Sequence, residues 1–333
     1  MDKKDLVPPG LSYLADNVKL KGNILGAAKQ DGARWAKGLN LPKNKDTIFF
    51  AGCGYQFGSK LESMMGLIRK MDKSAIGTER AMGLAGMQRK LGLDGVFLKV
   101  IGKGGEEGAA LVDTVKILRK LNIDFGYLAE EEPCCGALLH FMGASEEFKD
   151  RAGRVNAKLS SRGVTKLISI VPSCTYTLKK LMTSATGESS FEVKHFCEVV
   201  AENLNSLRLQ FPRSVKVTYH DPCQLVRFLG IVDEPRKILR AIGGIQFIEP
   251  KWTKGEWATC CGGGGGFEAV FPEMSEMLAV NRAKELLETG AEIIVTHCPG
   301  CIMQLETGLK ALKAQNIEVL DLAQMVAMSL EGN

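Results

Sequence analysis

One cysteine pattern, written twice, constrains this chain more than any other feature. In the second half Cys223 is followed by Cys260-Cys261-Gly262 and then by Cys298-Pro299-Gly300-Cys301, a spacing of C-x36-CCG-x35-C-x2-C. In the first half Cys53 is followed by Cys134-Cys135-Gly136 and then by Cys174, or C-x80-CCG-x37-C. Adjacent cysteines do not naturally reach bridging geometry with each other, so each pair has a use other than a mutual disulfide. The flanking text repeats as well. "EPCCGALLHFMG…RVNAKLSSRGVTKLISIVPSCTYTLKKL" aligns with "ATCCGGGGGFEAVFPE…AVNRAKELLETGAEIIVTHCPGCIMQL" with a gap of one residue. A repeat this long is a duplicated domain and not a solenoid unit.

The local pattern sets the fold class. "DTIFFAGC", "LISIVPSC", "VKVTYHDPC" and "EIIVTHCPGC" are short apolar or β-branched runs, each ending at a cysteine. Amphipathic helical stretches lie between them, such as Pro272 to Leu287 and Glu198 to Leu207. Strands alternating with helices predict an α/β fold with parallel sheets, here two pseudo-symmetric halves built of βαβ units. Ligands of such sheets gather at the carboxyl ends of strands, where these cysteines fall. Residues 1–44, broken by "VPPG" and "GLNLPKNK", read as an extended arm or connector. The first domain is expected over 45–212 and the second over 213–333, with the boundary at "QFPRS".

Composition narrows the compartment and the partners. The 333 residues are 45% hydrophobic and 24% charged, the balance of a globular chain with a real core. A net charge of +5, with Lys and Arg dispersed, gives nucleic-acid binding no support. No apolar run approaches the ~20 residues of a membrane helix. "MDKKDLVPPGLSYLADNVKLKGN" lacks the apolar core of a signal peptide. The expectation is a cytoplasmic chain whose thiols stay reduced. In such a compartment clustered cysteines are metal ligands or redox groups. Cys197, inside the helix-like "HFCEVVAENL", reads instead as a small buried hydrophobe.

Four thiolates in a tetrahedron suit structural zinc or a conventional cubane cluster. Five at one site are one too many for either, and suit a larger iron–sulfur assembly or a site where one thiolate exchanges partners. The glycine string Gly262–Gly266 then has a role, since backbone without Cβ atoms approaches sulfides closely and donates N–H groups. Neither G-x-x-x-x-G-K-[ST] nor G-x-G-x-x-G is present, which removes the common nucleotide cradles.

The residues "HDPCQL", "CCGGGGGF" and "THCPGC", with the duplicated "EEEPCCGALL" and "VPSC", resemble the cysteine-rich CCG-domain family of heterodisulfide reductase and related iron–sulfur oxidoreductase subunits. The resemblance runs from about residue 45 to the end. The segment "ADNVKLKGNILG" with "RWAKGL" is similar to the connector that follows a ferredoxin-like domain in longer members. No C-x2-C-x2-C-x3-C run precedes it, so the resemblance implies cubane clusters, or a flavin, on partner subunits of a heteromeric complex. It also implies a noncubane 4Fe–4S cluster on Cys223, Cys260, Cys261, Cys298 and Cys301, the kind of cluster that cleaves a disulfide in heterodisulfide reductase. The first set departs from the pattern: Val171 stands where the leading cysteine of C-x2-C belongs. Cys53, Cys134, Cys135 and Cys174 remain, and the resemblance implies zinc or a second iron–sulfur cluster there. A structural zinc contributes on the order of 10 kcal/mol to folding.

Of the four histidines, His220 and His297 fall in "YHDPC" and "THCPGC", beside the expected cluster. Each is a candidate to donate to a sulfide or to deliver a proton to a leaving thiolate. Gln224 follows Cys223 where many family members carry histidine. Asp221 reads as a cap for the next helix, and Arg227 as a solvated surface residue or a contact to substrate or partner. The functional expectation is a heterodisulfide-reductase-like subunit that passes electrons to or from a disulfide, a quinone or another carrier. It would lie in the cytoplasm or be held peripherally at the membrane by a quinone-reactive partner. The rival is a non-catalytic wire or structural metal subunit. An open cleft to the metal would favour catalysis, and a buried metal between partner centres would favour the wire.

Overall fold

The computed structural model describes residue 7 and residues 9–64, 108–187 and 191–331. Most of the long spacer after Cys53, residues 65–107, therefore lies outside the described residues, as do the first six residues of the expected arm.

The rest of that arm is not extended. Helix α1 (Pro9–Lys21) buries Tyr13, Leu14, Ala15 and Val18, and Trp35 is buried further on. Apolar residues one, three and four apart give this segment a face to bury, and that outweighed the Pro and Gly breakers around it.

In the first half β1 (Thr47–Phe50), α2 (Ala109–Lys120), α3 (Ser145–Ser161), β2 (Lys166–Ser169), β3 (Glu192–His195) and α4 (Phe196–Glu202) follow in order. The strands pair in parallel in the order β1-β2-β3, and Gly126 adds a parallel bridge to Ile48 on the outer side of β1. The second half repeats this with β4 (Gln210–Tyr219), α5 (Asp233–Ala241), β5 (Gly243–Phe247), α6 (Pro272–Leu287), β6 (Ile293–Thr296), α7 (Pro299–Ala311), β7 (Glu318–Asp321) and α8 (Leu322–Met328). Its sheet is parallel in the order β5-β4-β6-β7. The Gly126 bridge thus takes the place of β5, and β1, β2 and β3 take those of β4, β6 and β7. The fold is a duplicated α/β architecture, as the repeat implies. Ile48, Phe49 and Phe50, like Ile293 to Val295, are buried, the continuous apolar runs expected of parallel strands covered on both faces.

The segment "QFPRS" lies inside β4, so a boundary at 212/213 would cut a strand. The register of β4 on β5 slips between Gln210 and Val215, which accommodates Pro212 without ending the strand. The helix expected to reach Leu207 ends at Glu202 and is followed by a 3-10 turn at Leu204–Ser206.

The halves interlock. After β3, α4 packs on α5 of the second half, and after β7, α8 packs on α2 of the first. Both crossings start from the same device, a capping box. His195 accepts from Cys197 N while Glu198 accepts from His195 N at 2.7 Å. Asp321 accepts from Ala323 N at 2.8 Å while the Gln324 side chain accepts from Asp321 N at 3.0 Å.

Candidate functional site: two sulfur sets on one cavity

Each strand run named by the sequence delivers a cysteine at its carboxyl end. Cys53 follows β1, Cys174 follows β2, Cys223 follows β4, and Cys298 and Cys301 open α7 after β6. Cys134-Cys135 and Cys260-Cys261 arrive on loops. All ten cysteines are free; Cys134, Cys135, Cys174, Cys261 and Cys301 are buried, Cys53, Cys223 and Cys298 half-buried, and Cys260 exposed. Cys197 is buried in the main core apart from both sets.

Within each set the sulfurs converge. Cys135 Sγ lies 3.2 Å from Cys174 Sγ, and Cys261 Sγ lies 3.2 Å from Cys301 Sγ, the same contact in both halves. Neither is a disulfide, whose sulfurs sit about 2.05 Å apart. In each set one thiol is held well below its ordinary value by its neighbours. Cys134 is lowered by Cys135 and Cys53, and Cys261 by Cys260 and Cys301. Their partners rise: Cys53 and Cys301 through the neighbouring thiols and then burial, and Cys223, through burial, to about 11.

Backbone amides reach the sulfurs through glycines. Gly262 N donates to Cys260 Sγ at 3.3 Å, and Gly136 N lowers Cys134 in the same way. Both glycines have left-handed backbone, φ +86° and +83°. A Cβ on Gly262 would stand 2.3 Å from the Ser275 carbonyl oxygen, whereas one on Gly136 would meet side chains alone, Arg151 Cγ at 3.0 Å and Phe148 Cδ2 at 3.5 Å. Gly262→Ala is therefore expected to destabilise the fold by roughly 2–4 kcal/mol, and Gly136→Ala by only the ~1–2 kcal/mol of a left-handed alanine. Urea unfolding of both variants checks the order, and equal losses would contradict it.

The sequence placed two separate sites; the structure brings them to one cavity of about 210 Å³. All four cysteines of the first set border it, with Cys223, Cys298 and Cys301 of the second. Gly263–Gly266, Val171, Gln224 and apolar residues including Leu14, Ile24 and Met303 complete the wall. The two halves touch there closely, since a Cβ on Gly54 would stand 2.9 Å from Pro299 Cγ. α1 closes the cavity by packing against the short helices Ala137–Phe141 and Phe267–Val270 that follow the two CCG turns.

Neither His220 nor His297 borders the cavity, although both are buried. His297 Nδ1 donates to Asp321 Oδ1 at 2.9 Å, and its ring stands edge-on to His195 with centroids 4.9 Å apart. Tyr55, two residues after Cys53, donates its hydroxyl to the other oxygen of Asp321. Burial, and then the charge of Asp321, hold that phenol well above its ordinary value, so it stays a donor. A buried chain from Tyr55 through Asp321 to His297 thus joins the segment of the first leading cysteine to that of Cys298. Sequence reading passed over Tyr55 and Asp321; the one local signal was Asp321 with Gln324 before an apolar helix, a capping-box spacing.

One other expectation changes. Asp221 is not a helix cap: it takes a bidentate pair from Arg236 at 2.8 Å and 2.8 Å and a bond from Gly255 N at 2.7 Å. Arg227 is exposed, as expected of a surface residue, and also donates to the carbonyls of Glu256 and Ala258, which ties it to the loop before Cys260.

The duplicated frame and its two convergent sulfur sets define a class, chains with a repeated cysteine-rich α/β fold. The model of the cysteine-rich CCG domain matches residues 106–179 and 217–306, and the chain belongs to that family. It is 34% identical over 233 residues to one subunit of the dihydromethanophenazine:CoB–CoM heterodisulfide reductase of Methanosarcina acetivorans, covering 68% of this chain and 56% of that protein. Over 227 residues it is 34% identical to the EtfAB:quinone oxidoreductase of Syntrophomonas wolfei, covering 65% of this chain and 31% of that protein. Over 224 residues it is 30% identical to a probable iron-sulfur-binding oxidoreductase of Bacillus subtilis, covering 66% and 31%. The chain spans about half the length of the heterodisulfide reductase subunit and about a third of the other two. Among the described residues no helix is long and apolar enough to cross a membrane.

Proposed function

We propose that Cys223, Cys260, Cys261, Cys298 and Cys301 hold a noncubane 4Fe–4S cluster and that the chain is the electron-transferring subunit of a heterodisulfide-reductase-like complex. The observation that carries this is the meeting of free thiols from the carboxyl ends of β4 and β6, Cys223, Cys298 and Cys301, with the loop-borne Cys260-Cys261 pair and its Gly262 amide, three of the five lying on the wall of a cavity. The donor set fits such a group: sulfur-rich, one thiol beyond what zinc or a cubane takes, and supplied with N–H donors. When bound, the cluster supplies one-electron redox chemistry. The chain's own part is to orient the sulfurs, to shield four of the five by complete or partial burial, and to admit a guest.

The cavity favours catalysis over a wire, because a guest inside it reaches Cys298 and Cys301 without unfolding the chain. A disulfide or thiol, a quinone or another small carrier is the substrate class in this reading. In the first set Val171 occupies the place of a fifth thiol and packs toward Gly52. Cys53, Cys134, Cys135 and Cys174 then make a four-thiol set, which we assign to zinc, with a second iron–sulfur cluster as the other occupant. Partner subunits carrying iron–sulfur or flavin centres complete the path. Trp252 and Trp257, 85% and 81% exposed on the loop leading to Cys260, support a docking surface there. We place the assembly in the cytoplasm, or peripheral to a membrane through a quinone-reactive partner, with no nucleic acid.

Anaerobic purification with joint assay of iron, acid-labile sulfide and zinc tests the assignment. The expected result is about four irons and one zinc per chain, with an EPR signal after oxidation that a thiol substrate perturbs. About eight irons would replace zinc with a second cluster in the first set. Zinc alone, in iron-replete and freshly reduced protein, would sink the redox reading.

A further inference from the structure

We infer that Arg282 is a positioning residue that fixes His220 with its Nε2–H directed at the Cys261–Cys301 sulfurs, so that His220 is an N–H donor to the group held there and not one of its ligands. This rests on the iron–sulfur assignment of the second set.

By distance alone His220 would pass for a ligand, since it and Cys261 and Cys301 offer ligand atoms within 4.8 Å of one another. Its hydrogen bonding says otherwise. Arg282 Nε donates to His220 Nδ1 at 2.9 Å, so Nδ1 is the nitrogen with the lone pair and the hydrogen resides on Nε2. An imidazole that accepted at Nδ1 and also gave a lone pair from Nε2 to a metal would have no N–H left. Nε2 is buried and has no hydrogen-bond partner of its own. With Nδ1 taken by Arg282, what lies beside the free side of the ring is sulfur, the Cys261 and Cys301 thiols that share the 4.8 Å cluster with it.

Arg282 is itself fully buried on α6. Nη1 donates to Thr253 O at 2.9 Å and to Glu285 at 2.8 Å, while Nη2 has no partner. Taking a guanidinium out of water is costly before compensation, an expensive way to hold a helix in place. The duplication shows that the fold does not require it. Phe50 ends β1 three residues before Cys53, as His220 stands three residues before Cys223. Phe49 pairs with Ile168 as Tyr219 pairs with Val295, so Phe50 and His220 occupy the same place. Both are buried. The repeated text "RVNAKL" likewise lacks the arginine of "AVNRAKEL". An apolar ring serves the half with four thiols, and the His–Arg pair accompanies the half with five. A hydrogen bond onto a ligand sulfur or sulfide draws off charge and raises the reduction potential, which is what such a donor adds.

The test uses the purified iron-loaded chain and three variants: His220→Gln, which keeps an N–H at the tip, His220→Leu, and Arg282→Met. Iron per chain is measured first, then the reduction potential by EPR-monitored titration, then exchangeable-proton coupling by ENDOR in H2O against D2O. His220→Leu is expected to keep its iron, shift to a more negative potential and lose one exchangeable coupling. His220→Gln should restore much of both, and Arg282→Met should weaken the coupling while His220 is still present. Iron lost in both His220 variants would make His220 a ligand and overturn the inference. So would an unchanged potential and coupling in His220→Leu. An iron-free wild-type chain would overturn the cluster assignment, and this inference with it, a result that iron analysis separates from the other two.

Discussion

Replacing Cys261 with alanine is expected to empty the second sulfur set, taking iron from about four per chain to near zero and removing the visible absorption of the protein. Cys261 is the thiol that both Cys260 and Cys301 hold low, it is buried, and it makes the 3.2 Å contact with Cys301. Without it the remaining sulfurs of the set lose the member that links the CCG loop to α7. Two controls make the result specific. Cys197→Ala removes an equally buried thiol that packs in the core beside His195, so iron should be unaffected. Cys174→Ala should release zinc and leave iron in place. Iron analysis and an absorption spectrum of the three variants decide the matter. Full iron in Cys261→Ala would remove Cys261 from the ligand set.

Asp321→Ala is expected to have the largest effect on stability, a loss of roughly 3–7 kcal/mol. One carboxylate receives the Tyr55 hydroxyl, His297 Nδ1–H and the Ala323 amide, and it is fully buried. Its removal strands two buried donors, each costing about 1–3 kcal/mol. It also uncaps α8, at about 1 kcal/mol. Natural domains have only about 5–15 kcal/mol in hand, so much of the protein would unfold on mild heating. Asp321→Asn keeps the acceptor oxygen and should lose less. Tyr55→Phe in the Asp321→Ala background should recover about 1–3 kcal/mol, because it removes the hydroxyl that Asp321→Ala leaves stranded. Urea unfolding of these variants gives the numbers, and a loss under 1 kcal/mol for Asp321→Ala would refute the account.

Much of this was legible in the sequence because cysteine and strand signals coincide. "DTIFF", "LISI", "VKVTY" and "EIIVT" are short, apolar and followed at once by a cysteine, so strand and sulfur position come from the same few letters. The glycines after Cys261 were legible as backbone that approaches sulfur, but not the left-handed conformation that Gly262 and Gly136 share. β3, β5 and β7 were harder, since "EVKH", "GGIQF" and "EVLD" are four or five residues long with mixed polarity. The meeting of both sulfur sets on one cavity has no sequence signature, because it depends on how the halves dock. Arg282 was invisible for a different reason: an arginine on an amphipathic helix reads as solvated, and only the fold shows it turned inward to His220. α1 shows the converse, a segment with Pro and Gly around it that folds because it has a face to bury.

The exchange of helices between the halves has a consequence for the order in which the molecule can be completed. α8 comes after every strand of both sheets in the chain, yet it packs on α2, which belongs to the half made first. On a ribosome the first half therefore emerges with one side uncovered, and must wait while the whole second half is translated. β1 faces a similar delay, because Thr47 pairs with Lys166 across a long stretch of chain, whereas Lys166 finds Glu192 close by. Synthesis runs from the amino terminus, but closure of the first half runs the other way, from the last helix back.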